Sequence, residues 1–174
     1  MPDPTIVVEP VVRHVEVAAP IDTCFRTFVD GFDTWWPREH HIGEDREVVE
    51  FRIEPKVGGR CYDVDTNGVE CHWGTVLAHE PPRRLTFAWH IQADFMTIDH
   101  NPALQSEVEI TFEPLGPDKT AVRLEHKHLE RHAGGDGLRA SVDSEGGWGI
   151  LLNRFADVAE GRQPRPLLPA GGQG

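Results

Sequence analysis

The last apolar segment of the chain, residues 148–160, constrains the fold more than any other stretch. Its large apolar residues recur at helical spacing and so share one stripe. That stripe consists of Trp148, Leu151, Leu152, Phe155 and either Val158 or Ala159. The polar residues of the opposite side are Asn153, Arg154, Asp157 and Glu160. With Ser144 and Gly161 as its predicted caps, this helix must bury its stripe against an equally apolar surface.

Most of the sequence before this helix alternates between apolar and polar residues, as half-buried β-strands do. The alternation is clearest in residues 11–18, 47–54, 85–91, 105–114 and 119–129. Thr66-Asn67-Gly68 is a strong hairpin signal. Residues 19–36 instead predict a short helix that ends at Gly31, followed by a single helical turn. We therefore predict an α+β fold: a curved antiparallel sheet wrapped around a long C-terminal helix, with a short helical pair after the first strand.

The termini differ in composition from the rest of the chain. Residues 1–10 are marked by proline and predicted to be flexible, and the Pro/Gly-rich residues 162–174 are predicted to be disordered. The remaining residues, 11–161, are long enough for one domain with a sizeable core. Cys24, Cys61 and Cys71 have no CxxC spacing and are predicted to be reduced, small apolar core residues.

The charge of the chain argues against several classes of partner. Its formal net charge is -12, which repels phosphate backbones and anionic lipid, so neither nucleic acid nor a membrane surface is an expected partner. No stretch is apolar enough to span a bilayer. The N-terminus lacks the basic and apolar regions of a signal peptide, which predicts a cytoplasmic protein.

Six short motifs occur in a fixed order along the chain. They are residues 32–37 (FDTWWP), 57–62 (VGGRCY), 73–76 (WGTV), 80–89 (EPPRRLTFAW), 124–126 (LEH) and 147–155 (GW…F). With the predicted element order, this set resembles the SRPBCC or START-like superfamily of helix-grip proteins. Within it, the chain is similar to the branch named after the activator of heat-shock-protein ATPase. The resemblance covers about residues 11–161.

The resemblance implies a deep apolar cavity between the sheet and the last helix, which holds lipids, hormones, polyketides or aromatic substrates in different members. The side chains expected around such a ligand are Trp35, Trp36, Phe51, Phe87, Trp89, Phe95, Ile110, Leu124, His126, Trp148, Leu151, Leu152 and Phe155. No cofactor is expected, because nucleotide fingerprints and a G-x-S-x-G elbow are absent from the sequence.

His126 is the polar residue that attracts most interest. Alternation along the last strand places it in one inward row with Val122, Leu124 and His128. It is either a core histidine hydrogen-bonded to a neighbouring main-chain group or carboxylate, or the polar anchor of a ligand, and it is a candidate catalytic acid/base. His128 lies nearer the strand end, within reach of water.

Other polar candidates have less support. Asp63 and Glu70 would have raised pKa values in a cavity and could act as bases, but we expect both to be surface charges. A metal site built on His126-x-His128 with residues 71–72 or 40–41 is not expected, because no further ligand follows at metal spacing. Alternation does not assign His72 and Trp73 to a face of their strand.

These observations leave three hypotheses for function. The first is a protein that binds a small hydrophobic or aromatic molecule between sheet and helix, with His126 as anchor. The second is an enzyme of the cyclase or hydratase kind that uses His126 as acid/base in the same cavity. The third, which rests on fold analogy alone, is a module that modulates a chaperone ATPase. A homodimer is left open.

Overall fold

The computed structural model describes residues 8–43 and 45–167. The strands are β1 (Val11–Val17), β2 (Val48–Ile53), β3 (Arg60–Asp65), β4 (Glu70–Glu80), β5 (Arg84–Trp89), β6 (Ser106–Gly116) and β7 (Lys119–Lys127). The helices are α1 (Ile21–Val29), α2 (Phe32–Trp35), α3 (Gly135–Val142) and α4 (Trp148–Ala159). Within these residues, no helix is long and apolar enough to cross a lipid bilayer.

All seven strands form one antiparallel sheet in the order β1-β7-β6-β5-β4-β3-β2. Strands β2 to β6 each pair with the next strand in sequence, and β1 forms the other edge by pairing with β7. Asp65 and Val69 close the predicted turn at Asn67-Gly68 between β3 and β4 through main-chain hydrogen bonds. The sheet curls around the helices, which confirms the predicted α+β helix-grip fold.

Helix α4 lies against the concave side of the sheet, as its apolar stripe predicts. Trp148, Leu151, Leu152 and Phe155 are all buried. The facing row of β7, which consists of Val122, Leu124 and His126, is buried as well. An aromatic cluster fills the space beside α4: the ring centroids of Phe28 and Phe155 are 5.3 Å apart, and those of Phe28 and Trp35 are 4.8 Å apart. The space between the concave side of the sheet and α4 is therefore filled with protein side chains.

The predicted start of the last helix is wrong. α4 begins at Trp148, and Ser144 lies in a turn where its hydroxyl donates to the Ser141 carbonyl. The glycine-rich stretch before it contains an additional helix, α3. Gly134 precedes this helix and has a left-handed backbone conformation, with φ 73°. Gly147 joins α3 to α4 where the chain passes so close to Val142 that a Cβ atom would lie 2.0 Å from its carbonyl oxygen.

Bulges in two strands change the faces that alternation predicts. In β2 the register shifts between Val48 and Glu50, so Val48 is buried and Val49 is exposed, contrary to the expected alternation. In β4 two shifts place Trp73 inside the core and leave Leu77 exposed. The last strand ends at Lys127, and His128 follows it with a positive φ of 63°.

Residues on both sides of the range 11–161 contact the rest of the fold. Val8 is buried, and the Arg139 side chain donates to the carbonyl of Glu9. At the other end, Asp157 accepts hydrogen bonds from Arg165 at 2.7 and 2.8 Å. Asp157 was expected on the solvated face of α4, but it is buried, and the segment that contains Arg165 packs over it. The remaining residues of the predicted tails, 1–7 and 168–174, lie outside the described residues.

Candidate functional site

A cavity of about 380 Å³ opens at one end of the curved sheet, next to the first turn of α4. This volume falls within the range of small-molecule sites, near its lower end. Its lining residues come from four places: the loop after α2, the end of β5, the loop after β5, and the junction of α3 and α4. They are Trp36, Glu39, His40, His41, Ile42, Trp89, Ile91, Phe95, Ser141, Val142, Ser144, Gly146, Gly147, Trp148 and Leu151.

Three indole rings form the floor of this cavity. The ring centroid of Trp148 lies 5.9 Å from that of Trp36 and 5.8 Å from that of Trp89. Trp36 is supported from behind by Trp73, with which it stacks at 5.9 Å and an interplanar angle of 9°. The Trp148 plane is inclined by 58° to that of Trp36 and by 67° to that of Trp89, so the three rings form a rigid apolar surface of faces and edges that suits an aromatic ligand.

The side of the cavity formed by the loop after α2 is polar and is held at two points. The Trp36 indole N–H donates to the His40 carbonyl at 3.0 Å. The Arg46 guanidinium donates to the Ile42 carbonyl at 3.0 Å and to the Asp63 carboxylate at 2.6 Å. Because Asp63 belongs to β3, these bonds connect the loop to the sheet and fix the main chain on both sides of His41.

Asp63 does not match the expectation of a surface charge. It is 1% exposed, and with Asp65 it forms a buried carboxylate pair on Arg46. Burial raises the pKa of Asp63, although the hydrogen bond from Arg46 acts in the opposite direction. Asp63 does not line the cavity, so its role in the structure is to hold Arg46. Glu70 is an exposed charge paired with Arg60, as expected.

His40 and His41 place two imidazole rings on the cavity wall. Burial lowers the pKa of His40, and the nearby Arg154 acts in the same direction while Glu39 opposes it. His40 is therefore neutral at pH 7 and carries one N–H donor and one nitrogen acceptor. Ser141 and Ser144 provide hydroxyl groups where α3 meets α4. The site can thus offer hydrogen bonds to polar substituents of an apolar ligand.

His126 lies in the core and takes part in a chain of hydrogen bonds between side chains. The Trp148 indole N–H donates to His126 Nδ1 at 3.0 Å, so the His126 proton is on Nε2, which donates to Ser106 Oγ at 2.8 Å. The Ser106 hydroxyl donates to His132 Nε2 at 2.7 Å, and His132 Nδ1 donates to Gln92 Oε1 at 3.1 Å. Burial lowers the pKa of His126 to about 3 and that of His132 to about 4, so both rings are neutral.

His126 is a core histidine, as the first interpretation has it, but its partners are not the main-chain group or carboxylate that was expected. Its partners are two side chains, Trp148 and Ser106, and they occupy both ring nitrogens. His126 is fully buried and does not line the cavity. It contacts Trp148, which separates His126 from the cavity.

The structure brings only some of the expected ligand-contacting residues to the cavity. Those that line it are Trp36, Trp89, Phe95, Trp148 and Leu151. Those that pack in the core away from it are Trp35, Phe51, Phe87, Ile110, Leu124, His126, Leu152 and Phe155. The polar lining residues were not predicted from the sequence; they are Glu39, His40, His41, Ser141 and Ser144. The adjacent histidines shortly after the FDTWWP motif could have pointed to this loop.

Within the described residues, no three His, Cys, Asp or Glu side chains are grouped so that they could hold a metal ion. His72, His90 and His100 do form a cluster on the outer side of the sheet, where the His90 and His100 Nδ1 atoms are 2.9 Å apart. Thr75 Oγ1 lies 3.0 Å from His90 Nε2 and 3.3 Å from His72 Nε2. These contacts assign His72 to the outer face of β4.

Comparisons with known proteins agree with this architecture. The sequence model of the family described as "Activator of Hsp90 ATPase homolog 1-like protein" matches residues 18–160. Among solved structures, the anthrahydroquino-γ-pyrone synthase Txn09 is 34% identical, with a TM-score of 0.61 over 87% of this chain and 97% of that one. CalC from Micromonospora echinospora, a self-sacrificing resistance protein, is 30% identical, with a TM-score of 0.60 over 87% and 94% of the two chains.

A third structure, NE0264 from Nitrosomonas europaea, is 16% identical with a TM-score of 0.59 over 87% of this chain and 94% of that one, which shows the shared fold. No curated protein sequence matches the chain. The family model covers nearly the whole folded part, and the curled sheet with its C-terminal helix has the expected architecture. The chain therefore belongs to the family of Activator of Hsp90 ATPase homolog 1-like proteins, a branch of the SRPBCC superfamily.

Proposed function

We propose that this protein binds a small, flat aromatic molecule in the cavity at the end of the sheet. The observation that carries the proposal is the floor of the cavity, where Trp36, Trp89 and Trp148 present buried indole rings beside a polar loop. A flat ligand on this floor would replace water on apolar ring faces and gain ring–ring contacts. The polar groups of the loop and of the α3–α4 junction would orient its substituents.

The printed name of one relative supports this class of ligand, and a second relative shares the architecture. Txn09 is named as a synthase of an anthrahydroquino-γ-pyrone, a product with fused aromatic and pyrone rings. CalC is named as a resistance protein. Both are at least 30% identical to this chain and are covered almost completely by it. We therefore extend the proposal to fused-ring aromatic molecules.

Tryptophan fluorescence tests the proposal, with anthraquinone as the probe. Saturable quenching is expected because the ligand would stack on indole rings. Gly146 lines the cavity, and no atom lies within 4 Å of a Cβ built on it, so Gly146→Phe is expected to place its ring in the site. The matched control is Gly137→Phe, a position equally open but outside the cavity. Quenching that is absent, or unaffected by Gly146→Phe, would contradict the proposal.

A second candidate function is a cyclase-like reaction in the same cavity, favoured because the relative Txn09 is named as a synthase. The cavity would hold an aromatic substrate in a conformation in which a hydroxyl group of the substrate adds to an activated double bond of the same molecule. This addition closes a ring without loss of atoms. His126 would support the floor from behind, since both of its ring nitrogens already have protein partners.

Chromatography of a hydroxyanthraquinone that carries an unsaturated ketone side chain would reveal this ring closure. A rate no greater than that in buffer would remove the second candidate. The hypothesis of a chaperone ATPase module still rests on fold analogy alone. A pull-down with chaperone ATPases tests it, and failure to recover a complex would reject it.

A further inference from the structure

The His40 side chain is a polar group of the cavity wall whose role the fold does not explain. Its main chain is held firmly: the His40 N–H donates to the Pro37 carbonyl at 3.1 Å, and its carbonyl accepts from Trp36. Its ring, by contrast, has no hydrogen-bond partner among the residues that the structure describes. It stands edge-on to the Trp36 ring, with 5.9 Å between ring centroids. The main chain of His40 is therefore fixed, while the ring nitrogens are available to bond another molecule.

The surroundings of His40 favour a neutral hydrogen-bonding partner. Burial lowers the pKa of the ring, so the neutral imidazole predominates at pH 7. One of its nitrogens then accepts a hydrogen bond, and a neutral acceptor next to an aromatic floor suits an O–H group on an aromatic ring. The neighbouring His41 is partly engaged, because its Nδ1 lies 3.3 Å from the Ile42 carbonyl.

His40 differs from the other acceptors of the cavity in its position. The oxygens of Glu39, Ser141 and Ser144 also line the cavity and can accept an O–H. The Ser144 hydroxyl, at the α3–α4 junction, donates to the Ser141 carbonyl. Of the two histidines on the loop, His40 is the one whose ring lies against Trp36 and therefore beside a molecule on the floor.

We propose that His40 accepts a hydrogen bond from a phenolic hydroxyl of the bound ligand, so that the cavity selects hydroxylated aromatic molecules over their unsubstituted parents. This inference rests on the proposed function and adds the substrate class to it. His40 is a specificity-determining residue of the site: an O–H placed beside it replaces the water that would otherwise satisfy the ring. The unsubstituted parent leaves that nitrogen without a partner.

Paired binding measurements at pH 7 with naphthalene and 2-naphthol, the hydroxylated probe, test the inference, because the phenol keeps its proton and His40 is neutral at that pH. The wild-type protein is expected to bind the hydroxylated probe about tenfold more tightly than the parent. His40→Phe keeps an aromatic ring but has no acceptor, so it is expected to bind both probes alike and the parent as well as the wild type does. His40→Gln restores an acceptor and is expected to recover part of the preference.

The possible outcomes separate this inference from the proposed function. If wild-type protein binds both probes equally, or if His40→Phe retains the preference, the assignment of His40 is overturned while the proposed aromatic site stands. If His41→Phe removes the preference and His40→Phe does not, the acceptor is His41 and the assignment is again overturned. If neither probe binds, the proposed function fails and this inference fails with it.

Discussion

The buried, neutral His126 makes the stability of this protein depend on pH in a direction that the structure specifies. Burial lowers the pKa of His126 to about 3, whereas an exposed histidine has a pKa of about 6.5. Unfolding therefore takes up a proton at any pH between these values. The stabilising effect is complete above the unfolded-state pKa and is lost as the pH falls toward the folded-state pKa. For His126 alone, the free energy of unfolding should fall by about 2 kcal/mol between about pH 7.5 and about pH 5.

Urea denaturation at a series of pH values, followed by circular dichroism, measures this effect. His126→Gln removes the titrating ring, so its free energy of unfolding should fall by about 2 kcal/mol less than that of the wild type over the same range. His14→Gln, at an exposed position of β1, controls for the loss of a histidine. His132, with a pKa of about 4, adds to the acid loss in all three proteins. An equal fall in wild type and His126→Gln would refute the reasoning.

Two further substitutions test how the cavity is held in place. Arg46→Met leaves the buried Asp63 without its counter-charge and is expected to cost about 3–5 kcal/mol of unfolding free energy. Arg52→Met removes an ion pair in water and should lower the free energy of unfolding far less, so equal losses in the two denaturation curves would contradict this account. Gly147→Ala forces a Cβ against a carbonyl oxygen and is expected to cost more than about 2 kcal/mol, whereas Gly146→Ala enters open space and should change stability by less than about 0.5 kcal/mol. Similar melting temperatures for the two alanine variants would contradict the close approach of Gly147 to the Val142 carbonyl.

The fold could be predicted from the sequence where a regular period and the order of motifs agreed. The stripe of α4 and the inward row of β7 follow from helical and strand periodicity, and the structure confirms both. Local departures from a period could not be predicted. The bulges of β4 reverse the alternation around Trp73, and the side chain that buries Asp157 comes from Arg165, after the helix has ended. Periodicity carries no information about such tertiary contacts.

Aromatic residues of the candidate cavity were predicted from the sequence, but the position of that cavity was not. Aromatic residues near α4 were expected to surround a deep cavity, but side chains such as Trp35 and Phe155 fill that space by packing on one another. The cavity is therefore displaced to the open end of the sheet, where loops contribute His40 and His41. The contribution of these loops depends on which groups hold them, here Arg46 bonded to β3, and this is a property of the folded chain.

The central claim, that an aromatic ligand lies on the indole floor, is tested most directly by the indole N–H signals in a ¹H–¹⁵N NMR spectrum. The chain has 5 tryptophans, which can be assigned one by one through phenylalanine variants. On saturation with 2-hydroxyanthraquinone, the account predicts large shifts for Trp36, Trp89 and Trp148, which line the cavity, and little change for the buried Trp35. Signals that stay in place at saturation, or a largest shift at Trp35, would contradict it.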